Sequence, residues 1–243
     1  MHLIKLDATD STNSYLRRLL LSNVPNDYTV VMARQQEQGR GQMGTTWQSE
    51  ASKNLTFSVL RNHLNLPVGD SFVLNLCVSL AVYSVLKRHK VPELSIKWPN
   101  DILSGRSKIG GILIENSLSG SKISTSIIGI GLNVNQLHFE KLQNVSSLQL
   151  LLGKTFDLDA LLHDIVNQLK KVFLGFEQKD AAHLWDTYDN VLFRKGKPST
   201  FENKEGERFM GFIKGVSKDG RLNVELENAV LKTFDLKEVK LLY

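Results

Sequence analysis

The chain has 243 residues, of which 42% are hydrophobic and 23% charged, with 17 glycines and 5 prolines. This composition suits one large globular domain, or a domain with a small appendage, and excludes collagen-like and largely disordered chains. Thirty basic against 25 acidic residues leave a net charge of +5, a mild surplus that suits an anionic ligand. A lone cysteine, Cys77, excludes an intramolecular disulfide, and 6 scattered histidines give no zinc-ligand spacing. A single thiol fits a reducing cytosol, so a cytoplasmic location is expected.

Residues 1–6 are too short for a signal peptide, and Asp7 and Asp10 follow at once. Asp10-Ser11-Thr12-Asn13 precedes Tyr15, Leu16, Leu19 and Leu20 on one helical face, which predicts a helix capped by Ser11 or Thr12. Residues 28–32 are β-rich and lead into a polar, glycine-bearing run from Gln36 to Trp47. Residues 54–60 alternate Leu55, Phe57 and Val59 against Thr56 and Ser58, the period of a strand. A long helix is predicted over 70–87. Its apolar part falls short of the ~20 residues a membrane span needs and contains Asn75, Ser79 and Ser84, so it reads as a core helix. A short strand over 94–98 ends at Pro99, and two β-rich runs, 108–115 and 123–134, predict a hairpin. Leu158, Leu161, Leu162, Ile165, Val166, Leu169, Val172, Phe173 and Phe176 follow a 3.6-residue period and predict a helix. A further short helix fits 181–188. Beyond residue 190 come four short strand candidates (198–201, 208–216, 222–226 and 230–234), with Lys218-Asp219-Gly220 as a hairpin turn. The expectation is an α+β domain over 1–190 and a small all-β barrel over 191–243.

Five segments carry chemistry. In Gly39-Arg40-Gly41-Gln42-Met43-Gly44, close glycines let backbone N–H groups face an anion, and Arg40 adds a fork suited to phosphate or carboxylate. No Lys-Ser or Lys-Thr follows, so this is not a P-loop, and an ordinary surface turn is the alternative. Lys97-Trp98-Pro99-Asn100-Asp101 sets a cation, an aromatic face, an amide and a carboxylate at one strand end. It reads as a β-turn with a buried Trp, or as a site where Asp101, with Asn100, orients a polar ligand or hydrated magnesium. Lys108-Ile109-Gly110-Gly111-Ile112-Leu113-Ile114-Glu115 starts on a cation whose paired glycines allow close approach. Gly129-Ile130-Gly131-Leu132-Asn133-Val134-Asn135 delivers two amides at a strand end. Ser11-Thr12-Asn13 is equally an ordinary helix cap.

Taken in this order, Ser-Thr-Asn, Gly-Arg-Gly, Lys-Trp-Pro-Asn-Asp, Lys-x-Gly-Gly-Ile-Leu and Gly-x-Gly-x-Asn-x-Asn resemble the biotin protein ligases across essentially the whole chain. The resemblance is to the monofunctional form, since ten residues precede Ser11 where the regulatory form carries a DNA-binding winged helix. It implies a mixed sheet packed with helices, of the class II synthetase type, and an SH3-like C-terminal barrel. It implies activation of biotin with ATP and Mg2+ to biotinyl-5′-AMP, then transfer to a lysine of a biotin carboxyl carrier protein domain. No specific DNA or membrane partner is implied, no protein metal ligand is assigned, and a homodimer is allowed. The catalytic residues would be Lys108, Arg40 and Asp101. Biotin would be held by Ser11, Thr12, Asn13, Gln36, Arg40, Gly41, Gln42, Lys108 and Gly111. The nucleotide would meet Arg40, Trp47, Lys97, Asn100, Lys108 and Asn133. This chain has Gln42 where many members carry Arg, and Met43 and Thr45 where others have further basic residues. More of the phosphate charge then falls to Arg40 and Lys108. The three loop glycines predict a broad ensemble for the free loop. The alternatives are a lipoate or other acyl-protein ligase of related fold, and, in another class, a basic RNA-binding module.

Overall fold

The structure, a computed structural model, describes residues 1–22, 25–140, 142–178 and 181–243. Two parallel strands, His2–Thr9 (β1) and Thr29–Gln36 (β2), are joined by the crossover helix Thr12–Ser22 (α1). The other strands of this sheet pair antiparallel: Leu55–Arg61 (β3), Leu66–Pro67 (β4), Leu94–Lys97 (β5), Asp101–Ser104 (β6), Ser107–Ser119 (β7) and Lys122–Leu132 (β8). The order is β1-β2-β3-β8-β7-β6-β5, with β4 against β8, so the sheet is mixed. The remaining helices are Phe72–Arg88 (α2), Leu148–Leu152 (α3), Leu158–Gln178 (α4) and Ala182–Asn190 (α5).

Successive residues of β2 point to opposite faces. Val31 meets Leu16 of α1, Leu60 and Ile127 on one side, while Val30 and Met32 join the larger core with α2 and α4 on the other. Both faces of β3 are therefore covered, and all its residues are buried, including Thr56 and Ser58, which simple alternation would turn to solvent. The helical stretch Val68–Arg88 is long and apolar enough to cross a membrane, yet most of it is buried inside the fold, as a core helix.

The C-terminal strands are Pro198–Asn203 (β9), Arg208–Val216 (β10), Leu222–Glu225 (β11), Leu231–Phe234 (β12) and Val239–Leu242 (β13). They form an antiparallel sheet in the order β12-β11-β10-β9-β13, whose ladder is open, with β12 and β13 at its edges. Phe209 stacks between Phe201 (5.5 Å) and Phe234 (5.6 Å) over its inner face. The sequence patterns do not predict β1, β6, β13 or α3. The last three have only four or five residues, too few to display a period, and β1 is an edge strand that is half-exposed along its length.

Several contacts join the sheets. The chain leaving α5 runs along β5, where Ile96 N donates to Val191 O (2.9 Å) and Phe193 N donates to Ile96 O (2.8 Å). The Trp98 indole donates to Gly220 O at 2.8 Å, and an added Cβ at Gly220 would collide with Phe72 of α2.

Candidate active site

A cavity of about 470 Å³ opens between the two sheets. The start of α1, the segment between β2 and β3, the β5–β6 turn and the glycines of β7 and β8 line one side, and β13 with the turn before it lines the other. Glycine is required at position 131, where Trp47 crosses the sheet and a Cβ would collide with the indole, whereas a Cβ at Gly111 would make ordinary contact, 3.4 Å from Trp47 Cζ3 and Lys108 Nζ.

One end is neutral and polar. Ser11 caps α1, its Oγ accepting from Ser14 N at 3.2 Å. Gln36 Oε1 accepts from Thr12 N (2.8 Å) and Thr12 Oγ1 (3.1 Å). Beneath them, the fully buried Ser58 hydroxyl lies 2.7 Å from Thr12 Oγ1 and 2.5 Å from Asn13 Oδ1. Asn13 Nδ2 donates to Glu115 Oε2 at 2.8 Å, so both ends of that amide are held by the protein. Glu115 also receives Arg17 (2.8 Å) and Arg40 (3.0 Å). One carboxylate thus ties the glycine-bearing segment to the neutral end of the cavity.

That segment folds into a turn. Arg40 and Thr46 bridge antiparallel, Gly41 N donates to Thr45 O (2.6 Å), and Trp47 N donates to Gly39 O (2.9 Å). Met43 and Gly44 turn the chain at positive φ, 56° and 81°. Trp47 Nε1 is buried without a hydrogen-bond partner, an orphan donor in the cavity wall.

The other end is cationic. Lys108 Nζ sits 2.5 Å from Asp101 Oδ1, and Lys97 Nζ lies 3.8 Å from Asp101 Oδ2. Burial pulls the Lys97 ammonium below its ordinary value, against the pull of Asp101, and Lys240 adds to the lowering. Tyr243 covers Lys97, with the ammonium 4.9 Å from its ring centre, and burial raises its phenol above the ordinary value. Asn100 faces the cavity but pins its own turn, with Nδ2 donating to Ile112 O (2.6 Å) and Ile112 N donating to Asn100 O (3.1 Å). Asp101 is the one carboxylate among the described lining residues, and both its oxygens face lysines. No cluster of three metal-ligating side chains exists among the described residues. This donor set does not fit a protein-held magnesium ion, which needs several oxygen ligands.

The structure brings together Ser11, Thr12, Asn13, Gln36, Arg40, Gly41, Gln42, Trp47, Lys97, Asn100, Asp101, Lys108 and Gly111. It does not bring Asn133, which is buried outside the cavity, its Nδ2 donating to Ser146 O (3.1 Å) and its N–H to Ile109 O (2.8 Å). That amide anchors the segment before α3. Sequence reasoning missed Ser58, the hub role of Glu115, and Lys237 and Lys240. Ser58 stood in the strand pattern as its polar face, and burial of that face was the missing signal.

The family model for the biotin/lipoate A/B protein ligase family matches residues 6–133. The bifunctional ligase/repressor BirA of Bacillus spizizenii is 27% identical over 240 residues, covering 96% of this chain and 72% of that protein. The biotin–[acetyl-CoA-carboxylase] ligase of Mycobacterium tuberculosis is 28% identical over 221 residues, covering 90% and 81%. The solved structure of a biotin protein ligase from Aquifex aeolicus in complex with biotin and ATP superposes with a TM-score of 0.81 at 26% identity, over 99% of this chain and 98% of that one.

Proposed function

The chain belongs to the biotin/lipoate A/B protein ligase family, and from that premise we propose how its cavity works. The protein is an ATP-dependent biotin–protein ligase that activates biotin and transfers it to a biotin carboxyl carrier domain of a carboxylase. The observation that carries the assignment of roles is the cavity's polarity: hydroxyls and amides at one end, Lys108, Lys97 and Asp101 at the other, and a glycine turn between them.

The ureido ring of biotin is compact, neutral and rich in donors and acceptors. The Thr12–Gln36–Ser58 network offers it polar groups already fixed by their neighbours. A site of this kind rejects an acyl chain that leaves those groups unpaired, which disfavours lipoate.

In the first step a biotin carboxylate oxygen attacks the α-phosphorus of ATP. The bond from that phosphorus to the oxygen bridging the β-phosphate breaks, and pyrophosphate leaves. Two unit charges ~4 Å apart repel by about 4 kcal/mol at an effective dielectric of 20. The Lys108 ammonium offsets this repulsion and stabilises the charge that builds on the phosphate. Asp101 holds that ammonium in place. Arg40, oriented by Glu115, adds a second cation at the turn. Magnesium would enter with the triphosphate rather than through protein ligands. In the second step the neutral amine of the acceptor lysine attacks the biotinyl carbonyl carbon. The C–O bond to AMP breaks, AMP leaves, and the amine proton passes to water. The turn and Trp47 shield the mixed anhydride from hydrolysis meanwhile.

We read residues 191–243 as a separate SH3-like barrel domain, supported by five short antiparallel strands around Phe201, Phe209 and Phe234. The test of function is incorporation of labelled biotin or lipoate into a purified carrier domain with ATP. ATP-dependent labelling by biotin alone is expected. Preferential labelling by lipoate would contradict the reading.

A further inference from the structure

Between Gly41 and Thr46 the glycine turn carries no charged side chain. Its one nearby cation, Arg40, is bound to a carboxylate that already holds Arg17. A second cation nevertheless reaches the tip of the turn from the other sheet. Lys237 Nζ donates to Met43 O at 3.0 Å across 194 positions of sequence. Lys237 sits in the tight connection between β12 and β13 at φ 64°, a left-handed conformation uncommon for a side-chain-bearing residue. That connection is braced at both ends: Asp235 N donates to Glu238 Oε2 (2.8 Å), and Glu238 N donates to Asp235 O (3.1 Å). The braced connection holds the Lys237 side chain on the cavity wall. Lys240 lines the same wall and acts electrostatically on Lys97, so the second sheet adds positive charge to the cationic end.

We infer that Lys237 is a positioning residue. It pins the glycine turn over the cavity through the Met43 carbonyl and supplies, from the second sheet, the positive charge that the turn lacks. The ligand it serves is the phosphate chain of the nucleotide. This rests on the adenylating reading of the same cavity. The biotin ureido group lies at the far, neutral end and is not served by it.

The test is steady-state biotin-dependent ATP–pyrophosphate exchange on the full chain, with biotin binding measured separately without ATP. Lys237→Ala should raise the KM for ATP about fivefold, the size of a solvent-screened charge contact. It should change kcat by less than about twofold and leave the Kd of biotin unchanged. Lys237→Arg, which keeps the charge, should recover most of the loss. So should Lys237→Ala combined with Gln42→Arg, which puts a cation on the turn itself. That rescue separates a charge effect from a folding defect. An active wild type with an unchanged KM for ATP in Lys237→Ala would overturn this inference alone, as would a defect that neither arginine repairs. An inactive wild type would overturn the ligase reading and this inference with it.

Discussion

Ser58 is a single hydroxyl on which two neighbours depend, Thr12 and Asn13. Replacing it with alanine leaves buried polar atoms without a partner, at a cost of roughly 1–3 kcal/mol. Ser58→Ala should therefore raise the KM for biotin about tenfold and leave the KM for ATP unchanged, because the network lies at the neutral end only. Equal effects on both substrates, in steady-state kinetics, would show that Ser58 acts on the fold instead. Asp10 makes a different kind of prediction. Side-chain hydrogen bonds from Arg18 hold its carboxyl far below the ordinary value of 3.8. A carboxylate whose folded pKa is depressed favours the folded state above its unfolded pKa, and that contribution fades as pH falls toward the folded value. The pair is largely exposed, so the effect is small and screened by salt. The difference in urea midpoint between Asp10→Asn and wild type should be full at about pH 6 and shrink progressively as pH falls below the ordinary carboxylate value. A difference that stays constant through that acid range would contradict the assignment.

At the scale of elements, the glycines of β7 and β8 matter for what crosses them. The Trp47 indole lies on Gly131 too closely to admit a methyl group. Gly131→Ala should displace Trp47, shift tryptophan emission to the red, and destabilise the turn by about 1–3 kcal/mol, as overpacking does. Unchanged emission with full activity would mean that the indole is not seated there. The paired glycines of β7 were legible in the sequence as a place of close approach, but the role of Gly131 and the side chain that approaches it were not. The same division runs through the fold. The 3.6-residue stripe from Leu158 predicts α4, and two β-rich runs around a Ser-Gly-Ser turn predict the β7–β8 hairpin, because each signal is local and repeated. The burial of Ser58 and of Asn133 was not legible, because burial depends on what the remaining chain lays over a strand. Helix α1 covers one face of β3 and the core shared by α2 and α4 covers the other, and the segment before α3 turns Asn133 away from the cavity.

On the scale of the molecule, the groups proposed to act on substrate come from segments between Ser11 and Lys108, and a further wall of the cavity comes from the C-terminal sheet. The change of character near residue 190 is visible in composition. Nothing local reveals that the last strands close the cavity, since the Lys237–Met43 contact spans nearly the whole chain. The family motifs made most of the site legible and left out the residues that orient or supplement it, Ser58, Glu115 and Lys237. The proposed joining of biotin to AMP in this cavity depends above all on charge stabilisation at Lys108. Biotin-dependent ATP–pyrophosphate exchange in Lys108→Ala, beside a thermal melt of the same sample, tests it most directly. Lys108 is partly exposed and its neighbours are polar, so the fold should survive. An unchanged melt is expected, with an exchange rate lower by about 10²–10³, the size of a lost transition-state electrostatic contact. Exchange near the wild-type rate would contradict it.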